Sequence, residues 1–173
     1  MSTRWWFVAA GLALAVALPV AYHYFVKYRP LIHDISTDLD DPPVFVAVLP
    51  LRKNAFNAAD HGGPAVAAEQ RRAYPDVKPL DLAAAPAEAL RRAEQAARAM
   101  GWEIVAVVPE AGRIEATART RWLRFADDVV IRVRAREGGS RVDMRSVSRL
   151  GLGDLGTNAR RVRDYLGRVA ADG

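Results

Sequence analysis

The chain has 173 residues, of which 51% are hydrophobic, so it can form one domain of ordinary size with its own buried core. It contains no cysteine, which excludes disulfide scaffolds, thiolate metal sites and cysteine nucleophiles. The formal net charge is +5, and nearly all basic side chains are arginine. A basic balance favours anionic partners such as phospholipid or nucleic acid, and solvated surface arginines are the simpler alternative.

Residues 5–26 form a long apolar segment without Asp, Glu, Lys or Arg. As a helix they would extend roughly 33 Å, enough to cross a hydrocarbon core of about 30 Å. Aromatic residues mark both ends, as is typical of headgroup boundaries: Trp5, Trp6, Tyr22, Tyr24 and Tyr28. The segment therefore predicts a transmembrane helix after a short flank at residues 1–4.

A cleaved signal peptide is the competing interpretation, because Ala15-Val16-Ala17 fits the small-x-small cleavage pattern. Cleavage there would leave an apolar tail in water, so a retained signal anchor is favoured. The expected location is a bacterial inner membrane with the domain in the periplasm.

Residues 27–43 are rich in proline and aspartate and predict an extended linker, followed by a short strand at residues 44–49. The domain is expected over residues 44–171. The linker aspartates could surround a hard cation, but the loop spacing and glycine of an EF-hand are absent. Solvated turn and cap roles are favoured for these side chains: Asp34, Asp38, Asp40 and Asp41.

Hydrophobic periodicity predicts a short helix near residues 65–74, a clear helix at 86–100 and a closing helix at 158–170. Between the last two, apolar residues alternate with polar ones, beginning with Trp102, Ile104, Ala106 and Val108. The pattern predicts two hairpins, with turns at 109–112 and at Gly138-Gly139. The fold class is α+β: one domain with a four-stranded antiparallel sheet packed by two helices on its apolar face. Arginines line the other face.

Gly151, Gly153 and Gly156 have the spacing of a dinucleotide-binding fingerprint. Such a site needs a second parallel strand ending in an acidic residue about 20 residues later, and the closing helix occupies the remaining chain. Two interpretations stay open for this bend. Asp154 forms an ion pair with Arg161 or Arg149, or the amino terminus of the helix binds an anion.

Asp127 and Asp128 are adjacent on a strand, so their side chains should point to opposite faces, which is poor geometry for a paired acid–base device. Serines lack a neighbouring histidine or a nucleophile elbow, which leaves a hydrolase triad unsupported. Neither a metal nor an organic cofactor is expected. The candidate ligand-binding residues are Arg145, Ser146, Ser148, Arg149, Asp154, Asn158, Arg161, Asp127 and Asp128.

Four sequence runs carry a family likeness: HDISTDLDDPPVF, YPDVKPL, FADDVVIRVR and RSVSRLGLGDLGTNARRVRDYL. They resemble the bacterial and plastid family called domain of unknown function 1499, over most of residues 33–169. The resemblance implies a domain that is often membrane-anchored or exported. It implies no activity.

Three functions are compatible with these features. The first is a non-enzymatic, membrane-anchored domain that binds a protein partner or an anionic ligand. The second is a hydrolase-like small-molecule enzyme, and the third is an accessory subunit of a membrane complex. The arginine-lined face lacks interleaved aromatic rings, so lipid headgroups or an acidic protein are better partners than nucleic acid.

Overall fold

The computed structural model describes residues 3–28, 30–120 and 123–171. Its helices and strands, in chain order, are α1 (Thr3–Tyr28), β1 (Asp34–Ser36), α2 (Gly63–Ala73), β2 (Leu80–Leu82), α3 (Pro86–Ala99), β3 (Glu103–Val108), β4 (Arg113–Arg119), β5 (Ala126–Arg136), β6 (Gly139–Ser148) and α4 (Thr157–Ala171). Short 3₁₀ turns lie at Leu49–Arg52 and Pro109–Ala111.

Helix α1 is long and apolar enough to cross a membrane. Its Trp6–His23 window has a mean hydropathy of 1.7, and none of that window is buried against the rest of the chain. Trp6 and Tyr22 are exposed. The other predicted interface rings, Trp5, Tyr24 and Tyr28, lie outside the side chains that the structure describes. The predicted helix is confirmed over residues 5–26.

The domain is built on one antiparallel sheet with the strand order β1-β6-β5-β4-β3, and β2 also pairs with β6. The sheet thus has six strands where four were predicted. Ile35 of β1 lies opposite Ser146, and Asp81 of β2 lies opposite Arg141. Each added strand has three residues, too few for an alternating pattern to be recognised in the sequence. Part of the predicted linker is therefore a buried sheet strand.

Both predicted hairpins are confirmed, as are the helices, which begin and end close to their predicted bounds. The predicted alternation on β3 is wrong beyond Ile104. A β-bulge between Ile104 and Ala106 shifts the register, so Val107 packs against the main core. Val105 packs on the opposite face instead.

The main core lies between the sheet and the two helices α3 and α4. Trp102 stacks on Tyr165 with ring centroids 5.0 Å apart, and the Tyr165 hydroxyl donates a hydrogen bond to the Ala93 carbonyl at 2.8 Å. Burial raises the pKa of Tyr165 well above its ordinary value. The apolar side of the sheet, called the helix face here, presents to these helices Ile114, Ala116, Val129, Ile131, Val142 and Met144.

Residues 37–62, called the strap here, cover the opposite side of the sheet. This side is called the strap face. Phe45 and Val48 of the strap pack on Val130 and Val147. The expected strand at residues 44–49 is wrong, because its N–H groups bond to a side chain and not to a neighbouring strand. The Glu115 carboxylate accepts hydrogen bonds from the N–H groups of residues 46–48 at 3.0 to 3.1 Å.

Glu115 is fully buried, and Arg113 Nε also donates to it at 2.9 Å. Replacing it by alanine, Glu115→Ala, leaves these donors without an acceptor and should lower the free energy of unfolding by about 3 kcal/mol. Urea titration of the full chain in mild detergent measures this. The matched control is the exposed Glu110→Ala, which should change stability by no more than about 0.5 kcal/mol. Equal effects of the two substitutions would contradict the assigned role.

Candidate functional site

The candidate residues lie near one end of the sheet, where β5 begins, β6 ends and α4 begins. Alternation along the strands divides them between the two faces. Asp127, Ser146 and Ser148 lie on the helix face, whereas Asp128, Arg145 and Arg149 lie on the strap face. The predicted opposite orientation of the adjacent aspartates is confirmed. The candidate ligand-binding residues on the strands therefore form two separate clusters, one on each face of the sheet.

The helix-face cluster consists of Asp127, Ser146, Ser148, Asn158 and Arg161. Arg161 donates to Asp127 at 2.5 Å and to the Ser146 hydroxyl at 3.0 Å. Ser146 in turn donates to the Asn158 side-chain oxygen at 2.7 Å. Every member is buried. The cluster therefore joins α4 to β5 and β6 through polar groups that satisfy one another within the domain.

Asn158 is the centre of this cluster. Its side-chain amide donates to Ser148 Oγ at 2.9 Å and to the His33 carbonyl at 3.1 Å, while its oxygen accepts from both Ser146 and Arg161. An amide that donates twice and accepts twice has used its ordinary hydrogen-bonding capacity. Asn158 therefore fixes the first turn of α4 to β6 and to the segment before β1.

Asp154 caps helix α4. Its carboxylate accepts hydrogen bonds from the Gly156 N–H at 2.8 Å and from the Asn158 N–H at 2.6 Å. Burial raises the pKa of Asp154 above its ordinary value, against the opposing effect of these two N–H groups. Gly156 has φ of +80°, a conformation that favours glycine where the chain turns into the helix. The expected anion at this helix end is thus supplied by the chain itself.

The predicted ion pair between Asp154 and Arg161 or Arg149 is wrong, since each arginine has another partner. Arg161 pairs with Asp127, and Arg149 pairs with Asp128. The physical reason is competition: the unpaired N–H groups of the first turn of α4 lie nearest to Asp154 and take both of its oxygens.

The strap-face cluster has Asp128 at its centre. Arg149 binds it through two nitrogens, at 2.7 and 2.8 Å, and Arg52 of the strap binds it at 2.6 Å. Thr117 donates to the same carboxylate at 2.9 Å. Asp128 is fully buried. Two arginines and a hydroxyl thus satisfy this carboxylate, and Arg52 ties the strap to the sheet.

Arg145 forms a second buried connection to the strap face. Its guanidinium binds Asp34 through two nitrogens at 2.7 and 2.9 Å and also donates to the Pro43 and Ala59 carbonyls. The Phe45 ring lies 5.2 Å from the guanidinium carbon. Such a paired guanidinium, stacked on a ring, holds the two ends of the strap together.

Three further arginines of the strap face bind the linker aspartates Asp38 and Asp41, which are therefore not simply solvated turn residues. Asp38 accepts from three arginines at 3.0 to 3.2 Å: Arg132, Arg134 and Arg141. Asp41 and the buried Asp143 bind members of the same set. Burial alone would raise the pKa of Asp38, but N–H groups of Asp41 and Asp40 and the arginines lower it below its ordinary value.

Surface depressions lie elsewhere on the domain. One of about 420 Å³ is formed by the start of the strap, the end of α2 and the chain before β2, and one of about 280 Å³ lies between Leu31 and Phe56. None of the candidate residues lines either depression. The described residues also hold no group of three or more histidines or carboxylates placed to bind a metal ion. The candidate carboxylates are buried and paired within the domain, and they line neither of these two depressions.

Sequence reasoning missed Arg52 and Asn57, which complete these clusters, and it assigned Asp34 only a solvated turn or cap role. Asn57 donates to the Ser148 and Gly151 carbonyls at 3.0 and 2.8 Å. A signal for the pairing of Asp34 existed, because several aspartates before residue 44 are opposite in charge to several arginines on the last two strands. Which carboxylate meets which arginine depends on how the strap crosses the sheet.

Comparison with known families gives one match. The family model described as Protein of unknown function (DUF1499) matches residues 34–169. This range begins at β1 and ends within α4, and so it includes both clusters and the strap. Among curated proteins, none matches the chain.

Two arginines two residues apart on α4 provide a matched test of the buried cluster. The Arg161 and Asp127 side chains are 8% and 4% exposed, whereas the Arg163 and Asp76 pair is 41% and 57% exposed. Arg161→Ala should lower the free energy of unfolding by about 3 to 5 kcal/mol, because it leaves Asp127 buried without its partner. Arg163→Ala should lower it by at most about 1 kcal/mol.

Urea titration of both variants and of the double variant Asp127→Ala/Arg161→Ala measures the effect. The double variant should lose less stability than the sum of its two single variants. Equal losses for Arg161→Ala and Arg163→Ala would contradict a structural role of the buried pair.

The pH dependence of stability tests the burial of Asp154. Its raised pKa means that the folded state holds the proton more tightly than the unfolded chain does. Its contribution to stability is therefore fully present below the unfolded pKa of about 4 and is lost as the pH rises through the folded pKa. Relative to Asp154→Asn, the wild type should lose stability in urea titrations as the pH rises above about 4. A difference that does not vary with pH would contradict this.

Proposed function

The chain belongs to the DUF1499 family, whose description assigns no function, and we propose from its own residues that it is a single-pass, membrane-anchored domain without catalytic activity. One observation carries the proposal. The Trp6–His23 window is apolar, and none of it is buried against the rest of the chain. Water would have to solvate this surface, whereas a bilayer removes it from water at a gain of about 25 cal/mol per Å².

The proposed absence of catalysis is supported by the state of the candidate carboxylates. Asp127 and Asp128 are buried, and each already binds at least one arginine. A general acid or base must reach the proton that it transfers, directly or through one water. In this arrangement, substrate access would require breaking the pairs that hold the strap and α4 in place.

The proposed role is binding. The arginines of the strap face are poor sites for an external anion because strap aspartates already bind them. A partner is better sought among the exposed groups of the domain, either a protein or the lipid surface beside the anchor. The domain then serves as a rigid body held at a fixed distance from the membrane.

Alkaline carbonate extraction tests the anchor. The full chain should remain in the membrane pellet, and a variant without residues 3–28 should move to the supernatant, because only a lipid-embedded helix resists this wash. Recovery of the full chain in the supernatant would overturn the proposal.

The orientation is tested with the same preparation and one added thiol, because the native chain has no cysteine to interfere. Glu137→Cys places a thiol in the exposed β5–β6 turn. A periplasmic domain should react with a membrane-impermeant maleimide once the outer membrane is permeabilised. A thiol that reacts only after the inner membrane is lysed would place the domain in the cytoplasm.

A further inference from the structure

Four loop segments meet at one end of the domain: residues 30–33, 49–57, 123–125 and 149–155. Backbone hydrogen bonds join them. The Phe56 N–H donates to the Arg149 carbonyl at 2.9 Å, and the Asp154 N–H donates to the Ile32 carbonyl at 3.3 Å. The Arg149 N–H donates at 3.0 Å to the carbonyl of Ala126, the first residue of β5, which directly follows residues 123–125. The loops therefore form one continuous surface.

This surface, called the apolar end here, presents large hydrophobic side chains to solvent. Its main members are between 56% and 70% exposed: Leu31, Phe56, Leu123, Leu150 and Leu152. Leu31 and Phe56 line the same depression of about 280 Å³. Single exposed leucines are ordinary, but a cluster of large apolar residues from several loops is typical of a site that contacts a partner or a membrane.

The apolar end is also where the chain leaves the anchor. Helix α1 ends at Tyr28, and Leu31 follows three residues later, so the two lie within about 11 Å of each other even if the chain between them is fully extended. The apolar window of α1 ends at His23, and the five further residues to Tyr28 add about 7.5 Å as a helix. That length is about the thickness of one headgroup layer. Leu31 is therefore held next to the lipid headgroups.

The charges at this end suit a phospholipid surface. Lys53 and Arg124 are exposed in the same loops, and the described residues contain no carboxylate paired with either side chain. Among the described residues, two exposed carboxylates lie at this end: Asp60 lines the depression with Leu31 and Phe56, and Glu103 pairs with Arg119. Asp154 caps α4. Long basic side chains beside apolar ones place their charge among lipid phosphates while the apolar groups enter the acyl boundary.

We propose that the apolar end docks on the bilayer, with Leu31, Phe56, Leu123, Leu150 and Leu152 inserted at the boundary between headgroups and acyl chains. This inference rests on the proposed membrane anchor and adds a second contact between the domain and the lipid. Docking places one end of the sheet against the membrane, and the β5–β6 turn at the other end points away from it. Ten residue steps along β5 separate the two ends, about 33 Å.

Site-specific fluorescence of the full chain in vesicles tests the docking. The vesicles contain phosphatidylcholine and phosphatidylglycerol, with or without lipids that carry a spin-label quencher just below the headgroup. Single cysteines replace Leu152 and Phe56 at the apolar end, Glu137 at the far turn and Leu14 within α1. These four side chains are all exposed, so the substitutions leave the core intact.

Docking predicts several-fold stronger quenching at Leu152→Cys and Phe56→Cys than at Glu137→Cys. Adding Leu123→Asp to Phe56→Cys should reduce the quenching at residue 56 and leave that at Leu14→Cys unchanged. Quenching at Leu14→Cys with none at the apolar end would overturn the docking and retain the anchor. Absence of quenching at Leu14→Cys would overturn the anchor itself. Shielding of residues 56 and 152 that appears only at high protein-to-lipid ratio would overturn docking in favour of self-association.

Discussion

Pairing of buried charge is the constraint on which the rest of this domain depends. Strands β5 and β6 carry charged or polar side chains on both of their faces near one end, and the strap and α4 exclude water from both. A buried, unpaired charge costs several kcal/mol, so each carboxylate must meet a guanidinium or several N–H groups. The strap and α4 supply those partners, Arg52 to Asp128 and Arg161 to Asp127. The positions of the strap and of α4 are therefore set by the buried charges of the strands that they cover.

This constraint explains why the strap is ordered without regular secondary structure of its own. A segment outside helices and strands must satisfy its backbone groups by other means. Here Glu115 accepts the N–H groups of residues 46–48, and Arg145 donates to the carbonyls of Pro43 and Ala59. Buried side chains therefore replace the strand neighbour that the sequence pattern suggested.

The same arrangement bears on function. Residues that look catalytic in a sequence, such as adjacent aspartates, serines and arginines, are here the internal connections of a small sheet. Exposed apolar side chains of the loops near α1, with the exposed Lys53 and Arg124 in the same loops, remain available for external contacts. The candidate carboxylates are thus buried and paired beside an apolar core, while part of the surface near α1 is apolar as well.

The sequence by itself determined the apolar helix, the helices α3 and α4, and both hairpins, because each depends on local periodicity and on turn residues that lie next to one another in the chain. It also placed Asp127 and Asp128 on opposite faces, since alternation along a strand is local. Only the tertiary structure decided the three-residue strands β1 and β2, the path of the strap and the partner of every buried charge. Those contacts join residues such as Asp34 and Arg145, 111 positions apart, and an aspartate can pair with any arginine until the fold brings one of them within reach.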